Sequence, residues 1–204
     1  MVVGMSENLS SKKDKAETAL ILIDVINDLD FEGNDDLLRR VPDLTDSLVR
    51  LKAAAVEKHL PIIYVNDNFH KWRSNFEDTL KHCLETDVPG REMVRRLIPA
   101  PDDYFVLKPM HSGFYCTPLE ILLSELEVKT LILAGVAGNI CVLFTANDAY
   151  MRGYELIVPI ECIASNTVKD NEFALEQMKK LHCAKVLAVD ELIESLSYSD
   201  SQRT

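Results

Sequence analysis

Leu131-Ile132-Leu133-Ala134-Gly135-Val136-Ala137-Gly138-Asn139-Ile140-Cys141-Val142 is the stretch from which the rest of the chain is read. Leu131 to Ala134 form an apolar run that reads as a buried strand, and Gly135 and Gly138 punctuate a tight turn. From Asn139 the pattern becomes helical: Val142, Ala146, Ala149 and Tyr150 recur at helical spacing, and Gly153 stands where a helix would stop. Cys141 therefore falls in the first turn of a helix that leaves a buried strand. Unpaired backbone N–H groups and the positive end of the helix dipole meet there. Such a position lowers a thiol pKa and supplies donors for an oxyanion. Read without chemistry, the same residue is a small buried apolar side chain, the common fate of a free cysteine.

Outward from this unit, strand and helix keep alternating. Thr18 to Ile23 is an apolar run suited to a central parallel strand, and it ends in Asp24. That position is the strand's carboxyl end, where open α/β sheets place their ligands; the other reading is a loop aspartate that caps nearby backbone. Residues 31–41 read as loop or short helix. Pro42-Asp43 opens an amphipathic helix carrying Leu44, Leu48, Leu51 and Ala55 as far as about His59. Pro61 to Val65 is a second strand, closed by the polar cluster Asn66-Asp67-Asn68-Phe69-His70. Residues 71–103 are the least regular: Pro89, Pro99 and Pro101 break up helical pieces at Thr79–Glu85 and Arg91–Leu97. Trp72, Arg73 and Phe76 are expected over the site or at a partner surface.

Tyr104 to Leu107 is a short third strand followed at once by Lys108, and Pro118 marks the first turn of a helix running to about Leu126. Beyond the Cys141 helix come a strand at Tyr154–Val158 and a loop at Glu161–Ser165. A helix with Phe173, Ala174, Met178 and Leu181 on one face follows, then a sixth strand at Ala184–Ala188 and a short helix after Asp190. The alternation predicts an α/β fold: three α/β/α layers, with a six-stranded parallel sheet covered by helices on both faces.

Composition bounds the function classes. The 204 residues, 47% hydrophobic and 27% charged, suit one globular domain over 17–204 behind a polar leader at 1–16. A net charge of -11 argues against nucleic acid or an anionic membrane as partner. No run approaches the ~18 apolar residues of a membrane span, and no signal-peptide pattern opens the chain. Five cysteines, at 83, 116, 141, 162 and 183, show no C-x-x-C or zinc spacing, which suits free thiols in a cytoplasmic protein.

Three ordered blocks carry a family resemblance: Ala19-Leu20-Ile21-Leu22-Ile23-Asp24-Val25-Ile26-Asn27-Asp28; Val106-Leu107-Lys108-Pro109-Met110-His111-Ser112-Gly113-Phe114; and Gly135 to Val142 with Thr145, Asp148-Ala149 and Gly153-Tyr154. Over roughly residues 17–190 the chain resembles the isochorismatase-like cysteine hydrolases, which include nicotinamidase, N-carbamoylsarcosine amidase and, as a relative, isochorismatase. The resemblance implies a triad of Asp24 as base, Lys108 as supporting cation and Cys141 as nucleophile. It also implies a cis peptide between Val136 and Ala137, turning the N–H groups of Ala137 and Cys141 toward one point as an oxyanion hole. With the Rossmann-like strand order 3-2-1-4-5-6 that it implies, Lys108 starts two strands, about 9–10 Å, from Asp24 and must reach inward.

The activity so implied is hydrolysis of a small amide or carbamoyl compound through a thioester, with release of ammonia and no cofactor. Two alternatives stand beside it: vinyl-ether hydrolysis of the isochorismatase type, and a non-catalytic redox-sensing or binding role. The partner expected is a small-molecule substrate, with assembly into a homo-oligomer, dimer or tetramer. Nicotinamidases bind a metal after the second strand through Asp-x-His and a later His. Here the matching residues are Asp67-Asn68-Phe69, with His70 one position off, so no metal is expected. His70, His82 and His111 read as loop residues or residues behind the site.

Pocket residues stay open at this stage. Asn66, Asp67 and Asn68 either orient a substrate or close the strand with hydrogen bonds. Phe31, Trp72 and Phe114 either wall a pocket or fill the core. Arg73 either pairs with a substrate carboxylate or lies at the surface. Cys83, Cys116, Cys162 and Cys183 read as structural thiols.

Overall fold

The structure, a computed structural model, describes residues 17–68 and 75–198. The leader at 1–16 and the positions of Trp72, Arg73 and His70 lie outside the described residues. In chain order the first half comprises β1 (Thr18–Ile23), α1 (Asp35–Leu38), α2 (Val41–Glu57), β2 (Ile62–Asp67), α3 (Phe76–Glu85), α4 (Arg91–Arg96) and β3 (Tyr104–Lys108). The second half comprises α5 (Leu119–Glu125), β4 (Thr130–Val136), a π-type turn (Gly138–Val142), α6 (Leu143–Met151) and β5 (Glu155–Pro159). A 3-10 turn (Ile160–Cys162), β6 (Ile163–Ala164), α7 (Val168–Leu181), β7 (Lys185–Leu187) and α8 (Val189–Tyr198) complete it.

The strands make one parallel sheet in the order β3-β2-β1-β4-β5-β7, with β6 added beside β4. β1 lies between β2 and β4 along its length: Leu20 to Ile23 pair with Ile62 to Val65, and Thr18 to Ile23 with Thr130 to Gly135. Such a strand is apolar on both faces because helices cover both. Leu20 and Leu22 pack with Leu44, Leu48 and Leu51 of α2, Met93 and Val94 of α4, and Leu192 of α8. Ala19, Ile21 and Ile23 pack on the other face with Leu119 and Leu123 of α5, Ala146 and Ala149 of α6, and Met178 of α7.

The sheet holds one strand more than the six expected. β5 pairs with β4 only as far as Ile132, and β6 takes over beside Gly135 and Val136. Two residues are too few to show a period, so the Glu161–Ser165 stretch read as loop. α3 begins at Phe76, ahead of Thr79, because Asn75 caps it: its side chain accepts from the Asp78 N–H at 2.9 Å while Asp78 accepts from the Asn75 N–H at 3.4 Å. Phe76 itself is a core residue, stacked on Phe105 at 4.9 Å and edge-on to Tyr64 at 6.2 Å, rather than a cover for the site. On α7, Ala174 and Met178 are buried as expected, whereas Phe173 and Leu181 are exposed. No helix among the described residues is long and apolar enough to cross a membrane.

Candidate active site

Four segments deliver their side chains to one end of the sheet. β1 stops at Ile23, and Asp24 turns into the left-handed region at φ 51, one that aspartate tolerates better than most residues. Its N–H still donates to Val65 O at 2.9 Å, so the change of direction happens at the last rung of the ladder. β2 and β3 end together: Asp67 lies opposite Lys108, and the Asn68 N–H donates to Lys108 O at 3.0 Å. β4 runs hard against β1 at Gly135, where φ is +124 and a Cβ would sit 2.0 Å from Ile23 O. The Val136–Ala137 peptide is cis. Ala137 O then accepts from the N–H groups of Ile140 at 3.0 Å and Val142 at 3.2 Å, which closes the turn that carries Cys141. Gly138 leaves no room for a side chain: a Cβ there would lie 2.4 Å from Ile163 and 2.7 Å from the Ser165 hydroxyl.

The geometry centres on Lys108, which has no exposed surface. Its Nζ lies 2.9 Å from Asp24 Oδ2, 3.4 Å from Asp67 Oδ2 and 3.4 Å from Cys141 Sγ. Asp24 Oδ1 accepts from the Asp67 backbone N–H at 2.7 Å, and the Cys141 thiol hydrogen-bonds the Asp24 carboxylate. The lysine thus spans the two-strand gap and meets three partners with its three N–H donors. Cys141 remains half-buried.

Burial sets the electrostatics. It raises the Asp24 pKa above the usual carboxylate range, against the opposing pull of the Lys108 charge and the hydrogen bonds from Cys141, Lys108 and the Asp67 N–H. For Lys108, burial works downward, but Asp24, Cys141 and Asp67 together hold its pKa above the ordinary lysine value. The Cys141 thiol is pushed up to about 12, first by burial and then by the Asp24 charge, with Lys108 opposing. This reverses the depressed thiol pKa expected from the helix end alone. The thiol thus sits between a carboxyl group whose ionisation burial opposes and an ammonium that its anionic neighbours favour.

The pocket candidates divide. Asn66 is fully buried and gives its Nδ2 to Ile26 O at 2.7 Å, tying β2 to the loop after β1. Through that bond it closes the strand, while its Oδ1 is buried without a hydrogen-bond partner among the described residues. Phe114 belongs to the core: its ring lies 5.8 Å from the Tyr154 ring and 4.9 Å from the Arg152 guanidinium carbon, groups that follow α6. Phe31 stands exposed on the loop after β1. Asp67 joins the cluster through both its backbone and its carboxylate. His82 meets Asp28 at 3.3 Å, and the His111 ring lies 5.3 Å from Phe144. Among the described residues no group of three or more His, Cys, Asp and Glu side chains converges to hold a metal ion, and the Asp67 carboxylate is turned to Lys108. Cys83 and Cys162 are buried, while Cys116 and Cys183 are exposed.

One contributor was not assigned a role from sequence. Thr145 is buried and donates its hydroxyl to Cys141 O at 2.7 Å while accepting from the Gly113 N–H at 3.0 Å. It joins the Cys141 turn to the loop that follows Lys108. Its spacing of four residues from Cys141, one helical turn, was the available signal.

The profile of the Isochorismatase domain matches residues 18–191. The chain is 41% identical over 180 residues to the uncharacterized isochorismatase family protein YaaI of Bacillus subtilis (strain 168), covering 88% of this chain and 98% of that one. It is 28% identical over 169 residues to ureidoacrylate amidohydrolase RutB of Cronobacter sakazakii, covering 68% of this chain and 70% of that protein. Among solved structures, nicotinamidase SaPncA from Staphylococcus aureus is similar at a TM-score of 0.62 and 28% identity, over 84% of this chain and 98% of that one.

Proposed function

The chain belongs to the isochorismatase family of hydrolases, and within it we propose that this protein is a cysteine-dependent hydrolase of a small amide or carbamoyl compound. The observation that carries this reading is the contact of Lys108 Nζ with Asp24 Oδ2 at 2.9 Å and Cys141 Sγ at 3.4 Å, with the thiol hydrogen-bonded to Asp24. The amide-cleaving names of two of its relatives, an amidohydrolase and a nicotinamidase, support a C–N bond as the target.

In this mechanism Cys141 Sγ bonds to the carbonyl carbon as its proton passes to Asp24. A thiol held near 12 does not ionise beforehand at neutral pH, so transfer and attack go together. A carboxylate with a raised pKa is the better base for that step. The N–H groups of Ala137 and Cys141 receive the oxyanion. Collapse breaks the C–N bond, and the leaving nitrogen takes the proton from Asp24, departing as ammonia. Water then attacks the thioester, gives its proton to Asp24, and the acid leaves as the thiol is restored. Lys108 stays an ammonium throughout and supports each charged state of its neighbours.

The test is ammonia release from a panel of small primary amides and carbamoyl compounds. Cys141→Ala and Asp24→Asn are each expected to lower turnover by at least about 10³-fold. Retention of turnover within tenfold of wild type in either variant sinks the mechanism. Undiminished hydrolysis of a vinyl ether by Cys141→Ser would move the reaction to the isochorismatase type.

A further inference from the structure

We propose that Asp67 is a positioning residue of this site: the fixed counter-ion of Lys108, holding Nζ in place while Asp24 is protonated. The proposal rests on the nucleophile reading above and deepens it.

Asp67 grips both other charged groups. Its carboxylate lies 3.4 Å from Lys108 Nζ, and its backbone N–H donates to Asp24 Oδ1 at 2.7 Å. Asp67 is the last residue of β2 and stands in register with Lys108, the last residue of β3, so both side chains leave the same face of neighbouring strands. The Asn68 N–H to Lys108 O bond extends the ladder past them. Among the described residues, the charged and titratable groups that meet Lys108 are Asp24 from the end of β1, Asp67 from β2 and Cys141 from the turn after β4.

The need for a second anion follows from the reaction itself. When Asp24 takes the thiol proton, the ion pair at 2.9 Å loses its negative member, yet Lys108 has no exposed surface from which to recruit water. A buried ammonium left without an anion is costly. Asp67 takes no part in the proton transfer, so its charge persists and the ammonium stays paired and placed. The same charge sets the pH at which Asp24 is ready. The Asp67 carboxylate, a second negative charge on the shared lysine, disfavours ionised Asp24, while its backbone N–H favours it; replacing the carboxylate by an amide removes the first effect and keeps the second. Removing the Asp67 charge lets Asp24 ionise at lower pH.

Alkylation reads this without knowledge of the natural substrate. Cys141 displaces iodide from iodoacetamide, its proton passing to Asp24 and then to solvent, so the rate follows Asp24 ionisation. The experiment measures second-order rates at each cysteine of the full chain by peptide mass spectrometry, across pH 4.5–9, with neutral iodoacetamide and anionic iodoacetate as probes. Asp67→Asn is expected to move the acid limb at Cys141 to lower pH by about half to one unit and to raise the iodoacetate-to-iodoacetamide rate ratio several-fold. Asp67→Ser carries the same expectation and serves if the first variant does not fold. Asp67→Glu, which restores the charge, is expected to keep the wild-type limb. A wild-type limb that Asp67→Asn and Asp67→Ser leave unmoved, with an unchanged ratio, overturns the role of Asp67 and leaves the nucleophile standing. If wild-type Cys141 follows the same pH curve as the exposed Cys116 and Cys183, the nucleophile reading fails and this proposal with it.

Discussion

Lys108 is a lysine with no exposed surface, placed among two carboxylates and a thiol. Lys108→Met keeps the aliphatic stem and removes only the charge. It leaves Asp24 buried without its cation, and breaking a buried pair in this way costs about 3–5 kcal/mol. The variant is expected to lose that much stability in urea unfolding and to lose ammonia-releasing turnover altogether. Wild-type stability in Lys108→Met would show that the pair contributes nothing to the fold. From the sequence, Asp24 and Cys141 were legible because each ends or follows a buried apolar run. The burial of Lys108 was not, because a lysine at the end of a short strand reads equally well as an edge residue. The direction of the Cys141 pKa was misread for a related reason: the helix start is visible in the sequence, whereas the apolar surroundings and the Asp24 charge arrive only with the fold.

At the scale of an element, the unit of interest is β4, its π-type turn and α6. Thr145 fastens this unit to the loop after β3 through one hydroxyl that donates to Cys141 O and accepts from the Gly113 N–H. Thr145→Val keeps the shape and leaves that buried N–H unpartnered, at a cost of about 1–3 kcal/mol. Because the hydroxyl also sets where the Cys141 turn sits against Lys108, turnover should fall by about tenfold or more. Thr145→Ser should restore most of both, as read by thermal melts and ammonia release; a valine variant with full activity would reduce Thr145 to a packing residue. The turn's location was legible from its glycines. Its π form was not, nor was the β5 to β6 relay beside it, since both occupy too few residues to leave a periodic trace.

The whole molecule is a sheet with a separate apolar core on each face, and the site lies beyond its carboxyl edge rather than in either core. Stability and chemistry should therefore separate on mutation. Leu48→Ala, deep under α2, is expected to cost 2–5 kcal/mol in chemical unfolding while the acid limb of Cys141 alkylation stays put. A shifted limb would mean that the α2 face governs the site. The layers were legible because two periods, of strand and of helix, alternate along most of the chain. The pocket walls were not, because loops answer to tertiary contacts that have no period: Phe114 read equally well as pocket wall or core, and Phe76, expected over the site or at a partner surface, is buried. The wide spacing of the cluster along the chain also fixes when it comes into being. Its joining bonds close gaps of 43, 41 and 33 residues and need β1, β2, β3 and the turn after β4 to be in place together. A chain still folding carries Cys141 as one ordinary thiol among five. The Asp24–Lys108–Cys141 cluster is therefore complete only with the arrival of the last segment.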